Sequence, residues 1–313
     1  MPARPSRPAA PPAPVDPVRL HQPILAWYAA HARDLPWRQP GTSPWAVLVS
    51  EVMLQQTPVA RVEPVYREWV ARWPTPAALA AEPAGEAVRA WGRLGYPRRA
   101  LRLHAAATEI AARHGGELPT TYDGLRALPG VGDYTAAAVA SFAHGGRHAV
   151  LDTNVRRVLA RLVGGEAEAA PAVTIAERRR AEALLPDGPG TAARWAVAVM
   201  ELGALVCTAR SPGCAGCPVA DRCAWLLAGR PPATGPRRRA QRFEGTDRQA
   251  RGRLLAVVRS AEAPVPAAEL EAAWPEPVQH DRALAGLLHD GLVDETAEGY
   301  ALPGHPGHSG RPA

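Results

Sequence analysis

The chain has 313 residues, enough for about two domains, with 47% hydrophobic residues to fill a core and a formal charge of +6 at a pI of about 9.6. Lysine is absent, so all the basic side chains other than histidine are arginine. That balance points to an anionic partner, nucleic acid being the commonest, although an arginine-rich compositional habit gives the same count. No run reaches the ~20 apolar residues of a membrane span, which speaks against a membrane protein.

Residues 1–16, opening MPARPSRPAAPPAPVD, are rich in proline and alanine and lack the apolar stretch of a secretory signal. They read as a disordered tail, and the expectation is a cytoplasmic protein with reduced cysteines. At Ser43-Pro44, an N-cap followed by a first-turn proline predicts a helix start. The segment VLVSEVMLQQT, residues 47–57, continues it. Glu51 there shares a face with Val47, Leu48, Leu54 and Gln55. A carboxylate on so apolar a face is costly unless paired or protonated, so Glu51 is expected to hold a proton near neutral pH. Trp27, Trp45, Trp69 and Trp91 recur at helical spacing among Leu, Val and Ala and are expected in the core.

In LRALPGVGDYTAAAVASFAHG, residues 125–145, Pro129-Gly130-Val131-Gly132 separates two helical stretches. Glycines there allow a positive φ and a close approach to another surface. The backbone N–H groups of Val131, Gly132 and Asp133 are expected to face outward as a phosphate site; an ordinary tight turn between helices explains the same residues. In HAVLDTNVRRVLARLV, Asp152 precedes an amphipathic helix whose core face carries Val155, Val158, Leu159 and Leu162. A plain N-cap is the simple reading, and such a cap is expected to stay ionised. A carboxyl kept protonated and another kept ionised make the acid–anion pair that breaks glycosidic bonds.

All four cysteines fall in CTARSPGCAGCPVADRC, as Cys207, Cys214, Cys217 and Cys223. The spacing is C-x6-C-x2-C-x5-C, between a helix ending RWAVAVMELGALVC and another beginning CAWLLAG. Four thiolates in one loop in a reducing compartment argue for a metal centre over disulfides. Zinc and a [4Fe–4S] cluster both use four thiolates; zinc usually sits on two C-x2-C pairs, and this loop has one.

LPGVG, LDTNV and the cysteine loop together resemble the helix-hairpin-helix DNA glycosylases that carry an iron–sulfur cluster. LPWR, SEVMLQQT, RLGYPRRALRLH and ELGALVC narrow the resemblance to the MutY-type adenine DNA glycosylases, over about Leu35 to Cys223. It implies a mainly α, two-lobed helix-hairpin-helix fold with a [4Fe–4S] cluster on the four cysteines. The implied activity removes adenine from A:G and A:8-oxoguanine mispairs in double-stranded DNA, by a monomer associated with the nucleoid. By motif, Glu51 corresponds to the general acid toward adenine N7, Asp152 to the stabiliser of the sugar cation, and Tyr134 to their neighbour. Trp37, Arg38 and Glu201 correspond to the adenine pocket. Gln56, Thr57, Leu94 and Tyr96 correspond to the wedge at the flipped base, and Gly130, Val131 and Gly132 to the phosphate-binding hairpin. Related glycosylase/lyases of the endonuclease III type place a lysine where Tyr134 stands, so the resemblance implies a monofunctional enzyme.

Two departures stand out. Pro97 occupies a position where many members have tyrosine. Many members also end in a Nudix-like domain that reads 8-oxoguanine, and the about 90 residues after Cys223 are short for one. The sequence predicts domains at 17–228, with the cluster loop at 207–223, and at 247–303, with a basic linker at 229–246 and a disordered tail at 304–313. Within 247–303, three short helices and a β-hairpin predict a winged-helix-like α+β module, either scaffold or duplex grip. Other classes compatible with the chain are a glycosylase/AP-lyase for oxidised pyrimidines, a non-catalytic lesion-binding protein and a zinc-stabilised DNA-binding regulator.

Overall fold

Side-chain caps set many of the helix starts. The Ser43 hydroxyl accepts from the Ala46 N–H at 3.2 Å, with Pro44 at the first helical position of Pro44–Met53. Thr75 and Glu276 do the same ahead of Pro76 and Pro277, and Thr121, Thr174 and Thr246 cap further helices. The computed structural model describes residues 16–233 and 243–305. Residues 1–15 of the expected first tail, 306–313 of the last, and Arg237–Arg239 of the linker lie outside them.

The chain divides into two compact units, residues 1–34 with 140–236 and residues 35–139 with 237–313. The first contains the helices Val18–His31, Thr153–Leu162, Ile175–Ala183 and Pro189–Leu205, followed by the cysteine loop and the short helix Ala224–Leu227. Its core joins Leu20 and Ile24 to Val155, Val158, Leu159 and Leu162, the face expected of the helix after Asp152, and to Trp195, Val199 and Leu202. Trp27 is partly buried against this core and stacks on His31 at 5.2 Å. Gly203 lets two helices approach closely: a Cβ there would stand 2.7 Å from Asn154 Cβ and 2.9 Å from its carbonyl oxygen.

The second unit contains Pro44–Met53, Val59–Arg72, Pro76–Ala80, Ala84–Trp91, Arg98–Arg113 and the hairpin helix Tyr122–Arg126. Trp69 lies edge-on to Trp73 and Trp91, with centroids 4.7 and 5.7 Å away, and all three are buried, as is Trp45. The three helices expected near the C-terminus are Asp247–Ser260, Ala267–Ala273 and Pro277–His289, and the antiparallel strands Asp294–Thr296 and Gly299–Ala301 follow. Val265 bridges to Tyr300 beside them. These elements belong to the same compact unit as residues 35–139. Gly85 donates its N–H to the Pro303 carbonyl at 2.8 Å, Arg89 donates to the carbonyls of Arg259 and Ala261, and Arg259 donates to that of Gly92. Gly304 packs on Pro83.

Candidate active site and cysteine loop

Glu51 lies near the end of the Pro44–Met53 helix and is 5% exposed. Its Oε2 accepts from the Tyr134 hydroxyl at 2.7 Å. Tyr134 is on the first turn of Asp133–Phe142, so the hairpin delivers this donor. Val47, Leu48 and Val52 around it are buried and apolar, and the hydroxyl offsets part of the cost of burying the carboxyl among them. The helix ends sooner than the sequence pattern predicts: it stops at Met53, with Leu54 as its cap. Gln55 therefore leaves the Glu51 face, and its amide nitrogen donates to Thr135 Oγ1 at 3.2 Å.

The four expected wedge residues divide into two kinds. Gln56 (φ 55°) and Tyr96 (φ 50°) hold left-handed backbone conformations without being glycine, and both are exposed. Such positions cost roughly 1–3 kcal/mol and persist where surrounding structure holds them. Thr57 and Leu94 are buried, and the Thr57 hydroxyl is 3.2 Å from the Gln55 carbonyl oxygen and 3.4 Å from that of Leu94. These two thus lie beneath the exposed tips of Gln56 and Tyr96.

The residue that ties the tips together is Arg99, buried at 7% exposure. It donates to the carbonyl of Val52 at 3.0 Å, to that of Gln55, to that of Gly95 at 3.2 Å, and to Thr57 Oγ1 at 3.3 Å. One guanidinium thus caps the end of the Glu51 helix and holds the Leu94–Tyr96 turn. Pro97 leads into this helix as the N-cap of Arg98–Arg113. The sequence offered a signal for Arg99: like Glu51, it is a charge on a helix face shared with Leu103.

In the hairpin, Gly130 has φ +74°, and a Cβ there would stand 2.6 Å from Arg102 Cβ, so both the turn and the close approach require glycine. Gly132 has neither constraint. The Val131 N–H donates to the Leu128 carbonyl at 3.1 Å and its side chain is buried, so Val131 belongs to the turn itself and its N–H does not face outward as expected.

Trp37 and Arg38 form the short turn Pro36–Arg38 in the same unit. Trp37 is buried edge-on to Tyr66, with centroids 5.2 Å apart. Glu201 lies in the other unit and is fully buried. Its carboxylate accepts from the Arg33 backbone N–H at 3.0 Å and from both ends of the Arg33 fork at 2.7 Å. Arg33, just ahead of LPWR, carries no local sequence signal, because its partner is 168 residues away.

Asp152 N-caps Thr153–Leu162: Oδ1 accepts from the Val155 N–H at 2.6 Å and Oδ2 from the Asn154 amide at 3.0 Å. The expectation that capping keeps its pKa low is reversed in direction. Burial pushes the Asp152 carboxyl up and outweighs the Val155 and Asn154 hydrogen bonds. The network continues through Arg157, which donates to Asn154 Oδ1, to the Gly203 carbonyl and to the Cys207 carbonyl, each at 2.7 Å. Asp152 is thereby connected to the first cysteine of the loop.

The four cysteines are partly buried and not disulfide-bonded. They are close enough that, after burial, the charges of Cys207, Cys223 and Cys214 help push the Cys217 thiol up to about 11. Four thiols gathered in one loop can ligate either a zinc ion or an iron–sulfur cluster. Arg161, 3% exposed, donates to Cys207 Sγ at 3.4 Å and to the Thr208 and Ala209 carbonyls at 2.7 and 3.0 Å, and lies 4.7 Å over the Trp225 ring.

The HhH-GPD superfamily of base excision DNA repair proteins matches residues 49–182, and the iron-sulfur binding domain of endonuclease III matches 207–223. The chain is 56% identical to an adenine DNA glycosylase of Mycobacterium tuberculosis over 90% of its own length and 92% of the relative's. The chain belongs to the adenine DNA glycosylase family. The adenine DNA glycosylase of Mycolicibacterium smegmatis is 53% identical over 93% of this chain and 98% of its own. Among solved structures, a thermostable thymine-DNA glycosylase superposes with a TM-score of 0.62 at 28% identity, over 68% of this chain and 97% of that one.

Membership in the adenine DNA glycosylase family settles two of the open readings. The fold is the mainly helical helix-hairpin-helix architecture, and Cys207, Cys214, Cys217 and Cys223 make the loop an iron–sulfur site. A bound [4Fe–4S] cluster supplies iron–thiolate bonds that close the loop; Arg161 and Arg157 hold it from the protein side. No helix among the described residues is long and apolar enough to cross a membrane.

Proposed function

We propose that this chain binds double-stranded DNA as a monomer in the cytoplasm, on the nucleoid, and hydrolyses the glycosidic bond of adenine paired with guanine or 8-oxoguanine. The observation that carries this reading is the buried Glu51 carboxyl held by the Tyr134 hydroxyl. A carboxyl in such surroundings suits general acid catalysis. Glu51 protonates adenine N7 as the C1′–N9 bond breaks, with the bonding electrons leaving on the base. Asp152 stabilises the positive charge developing on the sugar, and its desolvation strengthens that attraction. Water then adds to C1′, its proton returning to Glu51. Gln56 and Tyr96, on their left-handed tips, contact the duplex where the base is extruded, a step that costs a few kcal/mol and less at a mispair. With tyrosine in the hairpin and no lysine in the chain, no side-chain amine forms a Schiff base, and the product is an abasic site in an unbroken strand.

Single-turnover reactions on A:G, A:8-oxoguanine, T:G and U:G duplexes, with the released base identified, test this reading. Adenine is expected from the first two and no base from the others. The strand is expected to stay intact until alkali is added, and borohydride to trap little covalent complex. Release of thymine or uracil, or prompt strand scission that scales with enzyme, contradicts it.

A further inference from the structure

A cleft of about 1130 Å³ opens within the second unit, between the Arg93–Arg99 segment and the helices Asp247–Ser260 and Pro277–His289. Nine arginines and a single carboxylate, Asp290, line it. Some of these arginines are committed to the protein: Arg98 and Arg251 share Asp290, Arg99 holds the loop carbonyls, and Arg61 and Arg259 donate to the Arg93 and Gly92 carbonyls. Four are not. Arg93 and Arg102 on one wall, and Arg248 and Arg253 on the other, are exposed and have no ion-pair partner among the described residues. The positive charge is felt locally, since burial and then the Arg93 charge depress the Arg259 guanidinium.

The cleft adjoins the Tyr96 tip. The Tyr96 ring lies 5.0 Å from the Arg99 guanidinium and 5.6 Å from that of Arg248, which is in turn 5.8 Å from the Phe243 ring. One contact in this stack comes from the helix after the LGY turn and the other from the C-terminal module. Arginines interleaved with aromatic rings form a surface for a nucleic-acid strand. The chain just before Phe243 is a poor occupant on charge grounds, because residues 234–242 carry Arg237, Arg238, Arg239 and Arg242 and no acid.

We propose that this cleft is a phosphodiester-binding site for duplex DNA, shared between the LGY turn and the C-terminal module, with Arg93, Arg102, Arg248 and Arg253 contacting consecutive phosphates. The module is then part of the DNA-binding surface and not only a scaffold. The inference rests on the DNA-repair reading above, but it concerns backbone contacts made to any duplex, whatever base is excised.

The test is the salt dependence of binding to a fully paired duplex and to an A:G duplex, comparing wild type with Arg248→Gln/Arg253→Gln. Each lost phosphate contact removes about 0.9 from the slope of log affinity against log salt, so the double variant should lose about 1.8 on both duplexes alike. Between about 50 and about 200 mM salt, wild-type affinity should then fall about tenfold more than the variant's. Should that pair fail to fold, Arg93→Gln/Arg102→Gln tests the opposite wall with the same expectation. An unchanged slope, or a loss confined to the A:G duplex, overturns the site. Adenine release by the wild type in the same preparation keeps the two readings apart: its absence removes the excision reading and leaves the slope result standing.

Discussion

The Tyr134 hydroxyl reaches across 83 residues of sequence to donate to Glu51 Oε2 at 2.7 Å. A hydrogen bond to a charged group, here the carboxylate that Glu51 becomes as it gives up its proton, is worth about 1.5–3 kcal/mol. Tyr134→Phe is therefore expected to slow single-turnover excision about tenfold to a hundredfold, with mispair affinity little changed. A rate within twofold of wild type would show that the hydroxyl does not serve the Glu51 carboxyl.

Asp152 is expected to trade stability for function. Burial raises its pKa above the ordinary value of 3.8, so the folded state resists the anion more than the unfolded state does. Stability linked to Asp152 is thus full below that ordinary value and declines as pH rises through the folded pKa. Asp152→Asn carries no such loss. The melting temperature of the variant relative to wild type should rise with pH from about 4 upward and then level off, while excision falls by at least ~100-fold. A difference in melting temperature that shrinks as pH rises would reverse the sign and overturn the burial argument.

Cys207→Ser and Cys214→Ser are expected to lower the iron content and bleach the brown colour of iron bound by thiolates. Arg157 also ties the Cys207 carbonyl to Asn154 and so to Asp152. The cysteine variants should therefore lose excision as well as DNA affinity. Iron and sulfide analysis beside single-turnover rates checks both; full activity in an iron-free, zinc-loaded protein would contradict the assignment.

How much could be read from the chain depended on the range of each signal. The Ser43-Pro44 start, the Val155–Leu162 face and the four cysteines are local patterns, and the structure keeps them. The Asp152 cap was also legible, but the sign of its pKa shift was not, because burial comes from the packed fold and not from the cap. Thr57 and Leu94 share motifs with exposed Gln56 and Tyr96, and motif membership alone does not say which side chain turns inward. Arg33, Arg99 and Arg157 act through partners brought near by folding, so single-residue periodicity passes over most of what they do.

Arg99 gives a test of that long-range layer. Arg99→Met roughly preserves volume but leaves the carbonyls of Val52, Gln55 and Gly95 without their donor. The expected loss is about 1–3 kcal/mol of unfolding free energy by urea titration, together with weaker duplex binding as the two tips loosen. Unaltered stability and binding would mean that water replaces the guanidinium at no cost.

The central claim is that buried Glu51 supplies the proton that frees adenine. The most direct measurement is single-turnover excision from an A:G duplex by Glu51→Gln, at enzyme concentrations where mispair binding is shown to be saturated. The amide keeps the shape of the side chain but has no proton to give, so the account predicts normal binding with no detectable adenine released. Excision by Glu51→Gln near the wild-type rate would contradict it.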